Sequence, residues 1–312
     1  MSSFAGRSPR AVRALPSLTL VLALAAPALA SAQEIRQAGS AVGEPVALSD
    51  SSVNARGAAE PARPDLRVRP PAIFKKRDLA MVGSFSAGAL ALMPLDRSIA
   101  RWSRDPQRQG HDALRTAMEG IETGFELGPL VAGAGLWATG LATRNRTVAD
   151  MGFHTLAVLG VNQQVTHLLK GAFGRSRPYV TGDSTSTDWR WGSGFREGTD
   201  RRSFPSGHTS QAFAFATVMS HEISRTWPRA GKVVTPILYA GAAGAGYARV
   251  YHDKHWASDV ALGAAVGMLS ANATLRFLHG RPNNWLDRVA LNTRIVPDGR
   301  GGTTVAVSLP TK

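Results

Sequence analysis

From Asp78 onward, apolar residues recur at helical spacing in long runs, broken by short polar connections that contain glycine. This period predicts helices near 78–94, 126–144, 147–171, 208–225, 232–249 and 257–279, and a more polar helix around 110–122. Four stretches carry no charge: Leu79 to Leu95, Leu127 to Thr143, Val233 to Ala248 and Val260 to Leu275. Each is 16 or 17 residues long, at or below the lower limit for a bilayer-spanning helix, which typically uses ~20. They read as buried core helices, with attachment to a membrane as the alternative. After Trp285 the period changes. Val289, Leu291 and Ile295 alternate with polar residues, Pro297-Asp298-Gly299 turns the chain, and Val305, Val307 and Leu309 alternate again. This predicts a C-terminal β-hairpin. The expected fold is all-α, a bundle of about six core helices with that hairpin appended.

The first 74 residues follow a different logic. Arg7, Arg10 and Arg13 precede an apolar run from Leu15 to Leu29, and Ala30-Ser31-Ala32 offers small residues for cleavage before Gln33. Residues 1–32 therefore read as an export signal. Residues 33–74, rich in Ala, Pro, Ser and Arg without periodicity, read as a disordered linker. That leaves 75–285 as the helical domain and 286–312 as the hairpin tail. The chain is expected to be exported, to the periplasm or to a membrane surface. It has no cysteine, which excludes disulfides and thiolate metal sites. Its net charge is +14, and removal of the three leader arginines leaves +11. Such a charge favours anionic partners, and an exported chain whose arginines form no single run is not expected to bind nucleic acid.

Three segments concentrate the chemistry. The first runs from Lys170 through Arg177-Pro178, the second is Pro205-Ser206-Gly207-His208, and the third contains Arg249, His255 and Asp259. His255 and Asp259, four apart, share a face at a helix start. A carboxylate there accepts one imidazole N–H, fixes the tautomer and leaves the other nitrogen free to attack. Ser206 and Gly207 precede an apolar helical run, so their donors face an anion at a helix N-terminus, where Gly207 allows close approach. Lys170, Arg177 and Arg249 supply positive charge around such an anion. Singly, each of these residues is explained as well by a cap, a surface pair or a solvated helix end. Their order within ninety residues is the informative part.

Over roughly residues 78–280 the arrangement resembles the type 2 phosphatidic acid phosphatase superfamily, which includes acid phosphatases, lipid phosphatases and vanadium haloperoxidases. Its first motif, Lys, six residues, Arg-Pro, is matched by Lys170-Gly-Ala-Phe-Gly-Arg-Ser-Arg177-Pro178, and its second by residues 205–208. The third departs once, with Ala248 in place of the usual serine before Arg249. The resemblance implies hydrolysis of phosphate monoesters or pyrophosphates, lipid phosphates such as phosphatidate among them, through a phosphohistidine. In that reading His255 is the nucleophile, Asp259 orients it and His208 is the general acid and base. Lys170, Arg177, Ser206, Gly207 and Arg249 hold the phosphoryl group, and no metal or other cofactor is required. A vanadate-dependent haloperoxidase and a non-catalytic lipid-binding membrane protein remain as alternatives.

Two further features stay open. The loop between Pro178 and Ser203 carries Trp189, Trp191 and Phe195 among four arginines, and reads equally as a substrate-selecting loop or a capping loop around its own small core. His252 and His255 make a thin set for a metal, opposed by Lys254. His154, His167 and His221 lie in apolar runs and are expected to pack within helices.

Overall fold

A computed structural model describes residues 72–182, 184–281, 284–291, 293–297 and 303–307. The expected export signal, the linker as far as residue 71 and the Asp298-Gly299 turn lie outside the described residues. The described part is all-α apart from two short segments at its C-terminal end.

Helix α1 spans Lys76–Leu92, and a 3-10 turn at Met93–Leu95 leads into α2, Asp96–Ser103. A short α3, Pro106–Gln109, precedes α4, Asp112–Ala142. Here the structure departs from the sequence pattern, because one helix of 31 residues replaces the two expected around 110–122 and 126–144. The intervening Thr123-Gly124-Phe125 contains no proline. Each helical glycine costs only ~1 kcal/mol, which packing along the helices Arg146–Phe173 and Pro228–Tyr251 outweighs. Helix α5 is Arg146–Phe173, α6 the single turn Pro178–Thr181, α7 Gly207–Thr226, α8 Pro228–Tyr251 and α9 Ala257–His279.

The tail differs too. Val289 and Leu291, expected in an extended arm, fall in α10, Trp285–Leu291. Asn284 starts that helix, accepting from the Asp287 amide at 2.9 Å and donating to its carboxylate at 2.7 Å. Thr293–Pro297 and Thr303–Val307 follow as antiparallel segments.

Helix α7 is the hub. It packs on α4, α5, α8 and α9, and its small residues Ala212, Ala214, Ala216 and Thr217 are buried along with Phe215, Val218 and Met219. A core of Met151, Val158 and Leu159 from α5, Val234 from α8 and Ala271 and Leu275 from α9 closes around it. The crossing with α9 is close because Gly263 and Gly267 carry no side chain. A Cβ at Gly263 would lie 2.7 Å from the Ser206 carbonyl, and one at Gly267 2.2 Å from that of Ser210. These contacts fix the start of α7 against the first turns of α9, where the second and third motifs sit.

The charge-free runs are not all buried. Leu79 and Leu90 of α1, Leu127, Leu130 and Val131 of α4, Val161, Val165 and Leu168 of α5, and Val233 and Ile237 of α8 are exposed. Two stretches, Lys76–Ser103 and Ala257–His279, are long and apolar enough to cross a bilayer. Only a small part of the first is buried. The expectation of core helices therefore fails for α1: it packs chiefly on α9 and presents the rest of its apolar surface outward.

Candidate active site

The first motif begins where α5 ends. Gly174 takes a left-handed φ of 57°, and a Cβ there would lie 1.9 Å from the Arg190 carbonyl, so the reversal that stops the helix is available to glycine alone. The turn sends Arg175 inward. Its side chain is completely buried and its guanidinium is saturated. Nη1 donates to Asp259 at 2.5 Å and to Ser258 Oγ at 2.7 Å, Nη2 to Asp96 at 2.7 Å, and Nε and Nη2 to the Ser186 carbonyl at 3.0 and 2.7 Å. Arg175 also stacks over the Trp189 ring, 4.7 Å from its centroid. The motif pattern, fixed by the six-residue gap and the following proline, selects Arg177 and assigns no role to Arg175.

Asp259, in the first turn of α9, is held on every side. Oδ1 takes Arg175, while Oδ2 accepts from Ser203 Oγ at 2.5 Å and from the Trp256 amide at 3.0 Å. His255 is buried two residues before the helix, with Nδ1 3.7 Å from Asp259 Oδ2 and 3.5 Å from Ser203 Oγ. The distance to Asp259 is longer than a hydrogen bond, so the direct pairing expected from the i, i+4 spacing is replaced by a carboxylate with a serine hydroxyl beside it. Nδ1 faces this group, which leaves Nε2 as the outward nitrogen. Asp96 completes the arrangement, accepting from the Ser258 amide at 2.9 Å and its hydroxyl at 2.5 Å. Sequence reasoning missed Asp96, Arg175, Ser203 and Ser258. Arg175 lay inside the first motif and Ser258 inside the third, whereas Asp96 and Ser203 lay outside them.

The second motif lies against both. The Ser206 amide donates to the Asp259 carbonyl at 3.0 Å, and the Ser206 hydroxyl, fully buried at the N-cap of α7, accepts from Thr209 at 2.8 Å. Gly207 faces Lys170, whose Cε would be 3.1 Å from a Cβ placed there. Lys170 Nζ donates to the Arg202 carbonyl at 2.6 Å. Half-buried Arg177 is steadied by the Thr199 carbonyl at 2.9 Å.

Electrostatics ties these groups into one neighbourhood. Burial, with a further push from the Arg177 charge, brings the Lys170 amine down to about 7. Burial also lowers both imidazoles, His255 well below its ordinary value, and the charges of Lys170 and Arg177 push both further down. The carboxylate of Glu126 opposes that push at His208. Two neutral imidazoles thus share a cationic recess with a lysine and an arginine, an arrangement that favours an arriving anion.

Arg249 is placed differently from Lys170 and Arg177. Its Nη1 pairs with Glu122 of α4, which also takes His252 Nδ1, while its buried Nε makes no hydrogen bond. Its backbone carbonyl accepts from the Lys254 and His255 amides at 3.0 and 3.3 Å. Glu122 has no counterpart among the expected site residues. Of the three histidines expected to pack in helices, His154 is buried, whereas His167 and His221 are exposed because they fall on outer helix faces. Arg202 Nη2 reaches His167 Nδ1 at 2.8 Å. The loop divides between its two readings. Trp189 and Phe204 stack with Phe173 at 4.9 to 6.1 Å as a small core, and Trp191 and Phe195 remain exposed.

Residues 152–282 match the PAP2 superfamily model. A lipid A 1-phosphatase of Porphyromonas gingivalis is 28% identical over 166 residues, 53% of this chain and 32% of the relative. The chain thus spans about a third of the length of that curated relative. A transmembrane PAP2-type phosphatidylglycerolphosphate phosphatase from Bacillus subtilis shares the fold, with TM-score 0.50 and 22% identity over 68% of this chain and 99% of its own. LpxE of Aquifex aeolicus aligns at TM-score 0.41 and 23% identity over 58% of this chain and 94% of its own. The match to the PAP2 superfamily model over residues 152–282 takes in all three motifs, the first two complete and the third changed only at Ala248.

Proposed function

We propose that this chain is an exported, membrane-associated phosphatase that removes a terminal phosphate from lipid phosphate monoesters or pyrophosphates. His255 Nε2 attacks phosphorus in line with the leaving oxygen. The P–O bond breaks as the P–N bond forms, and His208, protonated as the anionic substrate binds, passes its proton to the leaving alkoxide. His208 then takes a proton from water, the water oxygen attacks the phosphohistidine, and inorganic phosphate and neutral His255 are released. Lys170, Arg177, the Ser206 hydroxyl, the Gly207 amide and Arg249 stabilise the phosphoryl oxygens, so no step calls for a metal ion.

The observation that carries this reading is the buried network beneath His255. With both carboxylates ionised, Asp96, Arg175 and Asp259 hold one excess negative charge in a water-excluded position. Phosphorylation at Nε2 makes the ring positive, and that charge is compensated where it forms. The lipid assignment rests on the apolar outer surface of α1, α4, α5 and α8, and on the lipid phosphatase named among the relatives. Export rests on the basic, apolar and small-residue order of the first 32 residues.

The test is phosphate release in EDTA from phosphatidate, diacylglycerol pyrophosphate, lipid A and a soluble aryl phosphate. Release from at least one lipid substrate is expected, with His255→Ala abolishing turnover at unchanged helicity and melting temperature. A His255→Ala variant with full activity, or no release from any lipid phosphate, overturns the proposal.

A further inference from the structure

A second cluster of buried polar side chains lies at the other end of the bundle. Glu222 sits fifteen positions beyond Gly207 on α7, and His154 sixteen before Lys170 on α5. At 1.5 Å rise per residue those separations are roughly 22 and 24 Å. His279, at the end of α9, joins them. His154 Nδ1 is 2.9 Å from Glu222 Oε1, and His279 Nε2 is 2.8 Å from the same oxygen. Each residue offers one donor atom, and these atoms all lie within 4.8 Å of one another. His279 Nε2 is buried and, despite its nearness to Glu222, makes no hydrogen bond. The phosphatase chemistry uses none of these groups.

We propose that His154 Nδ1, Glu222 Oε1 and His279 Nε2 form a binding site for one divalent transition-metal ion, with zinc as the best fit. Two imidazole nitrogens and a carboxylate oxygen are a donor set zinc accepts readily, with a fourth position left open. The outer groups are arranged as such a site needs. Asp287 Oδ1 lies 3.6 Å from His154 Nε2, on the far side of the ring, and so favours the tautomer whose Nδ1 lone pair is free for the metal. Asn284 holds the other Asp287 oxygen at 2.7 Å. Arg225 holds Glu222 Oε2 at 3.1 Å, leaving Oε1 for the ion. Asp150, also close enough to interact with His154, raises the local excess of carboxylates that a cation offsets. A cavity of about 270 Å³, lined by His221, Arg276 and His279 among others, gives a route in.

Its ligands come from α5, α7 and α9, and Asp287 from α10, so the ion ties four helices together far from the reaction centre. Anything that binds only the folded chain stabilises it by mass action. At a hundredfold excess over the dissociation constant, a chain of this size gains about 5 °C or more in melting temperature.

The test uses tag-free full chain in detergent, stripped with EDTA and dialysed against zinc. Elemental analysis should then count one zinc per chain and the melting temperature should rise. Cobalt in place of zinc should give visible d–d bands. Glu222→Gln and His279→Gln, both nearly isosteric, should lose the metal, the shift and the bands. His208→Asn and His255→Asn should keep all three, which separates this site from the imidazoles of the reaction centre. No retained zinc, equal retention by Glu222→Gln and His279→Gln, or loss in the His208 and His255 variants overturns the proposal. None of these readouts measures turnover, so the outcome is independent of whether the chain is a phosphatase.

Discussion

Arg175 and Arg177 stand two residues apart and face different surroundings. Arg177 is half-buried beside the recess, whereas Arg175 is sealed beneath it between Asp96 and Asp259. Removing one partner of a buried ion cluster leaves uncompensated charge, at a typical cost of 3–5 kcal/mol. Arg175→Met should lower unfolding free energy by about that amount in urea titrations, and a loss under 1 kcal/mol would show that the cluster is not held as described. A second prediction concerns Lys170, whose depressed value of about 7 means that its charge disappears as pH rises through neutrality. Binding of an oxyanion needs the charged form, so kcat/KM should fall over that range. Lys170→Arg keeps its charge throughout, and its alkaline limb should move upward whatever the variant's absolute rate. An unmoved limb assigns the titration to another group. The cations of the first motif could be singled out in the sequence because the second and third motifs follow them in order within ninety residues, whereas a helix-end charge alone carries little information. Which arginine turns inward was not legible, because Gly174 decides it through a backbone reversal, and Asp96 lies 79 residues before Arg175.

At the scale of elements, the recess is assembled from ends: the last turn of α5, the start of α7, the loop after α8 and the first turn of α9. Long apolar periods made most of these helices legible, and their ends came from Gly174 and from the Pro205-Ser206-Gly207 start. The fusion of 110–122 with 126–144 was not legible, since the sequence cannot weigh one helical glycine against packing on α5 and α8. Nor was α10, whose start depends on a local Asn284–Asp287 cap. The crossing of α7 and α9 gives a prediction that separates placement from stability. Gly263→Ala puts a methyl 2.7 Å from the Ser206 carbonyl and shifts the phosphate-facing turn. Displacements near 1 Å in such turns cost on the order of 10²-fold in rate. Gly160→Ala on α5 meets nothing within 4 Å, and should instead raise stability by roughly 0.5–1 kcal/mol at unchanged turnover. If the two variants behave alike in activity assays, close packing of α9 does not position Ser206.

For the whole molecule, the decisive question is what covers the outward apolar faces. Exposed apolar surface on a water-soluble monomer is normally confined to small patches, yet here large apolar side chains are exposed on α1, α4, α5 and α8. Three of the four charge-free runs, too short to indicate spanning by length alone, contribute most of these side chains. Lys75, Lys76 and Arg77 flank α1 at one end and Arg97 and Arg101 follow it at the other, the distribution expected of a segment whose ends meet headgroups. Arg276 pins its first turn to α9 through Asp78, at 2.8 Å for Nη2. Leu79 and Leu90, 74% and 64% exposed, touch little protein. In water, replacing both by glutamate would be close to neutral. In lipid, a buried charge costs up to about 2.5–3.5 kcal/mol, the value at the centre of the hydrocarbon layer, and less toward the ends of α1 where both leucines sit. The wild-type chain should therefore stay with membranes through an alkaline carbonate wash and need detergent for extraction, and Leu79→Glu with Leu90→Glu should sharply reduce membrane retention. A wild-type chain that is soluble and monodisperse without detergent, with a melting temperature indifferent to both substitutions, would make the apolar surface incidental and remove the main support for a lipid substrate.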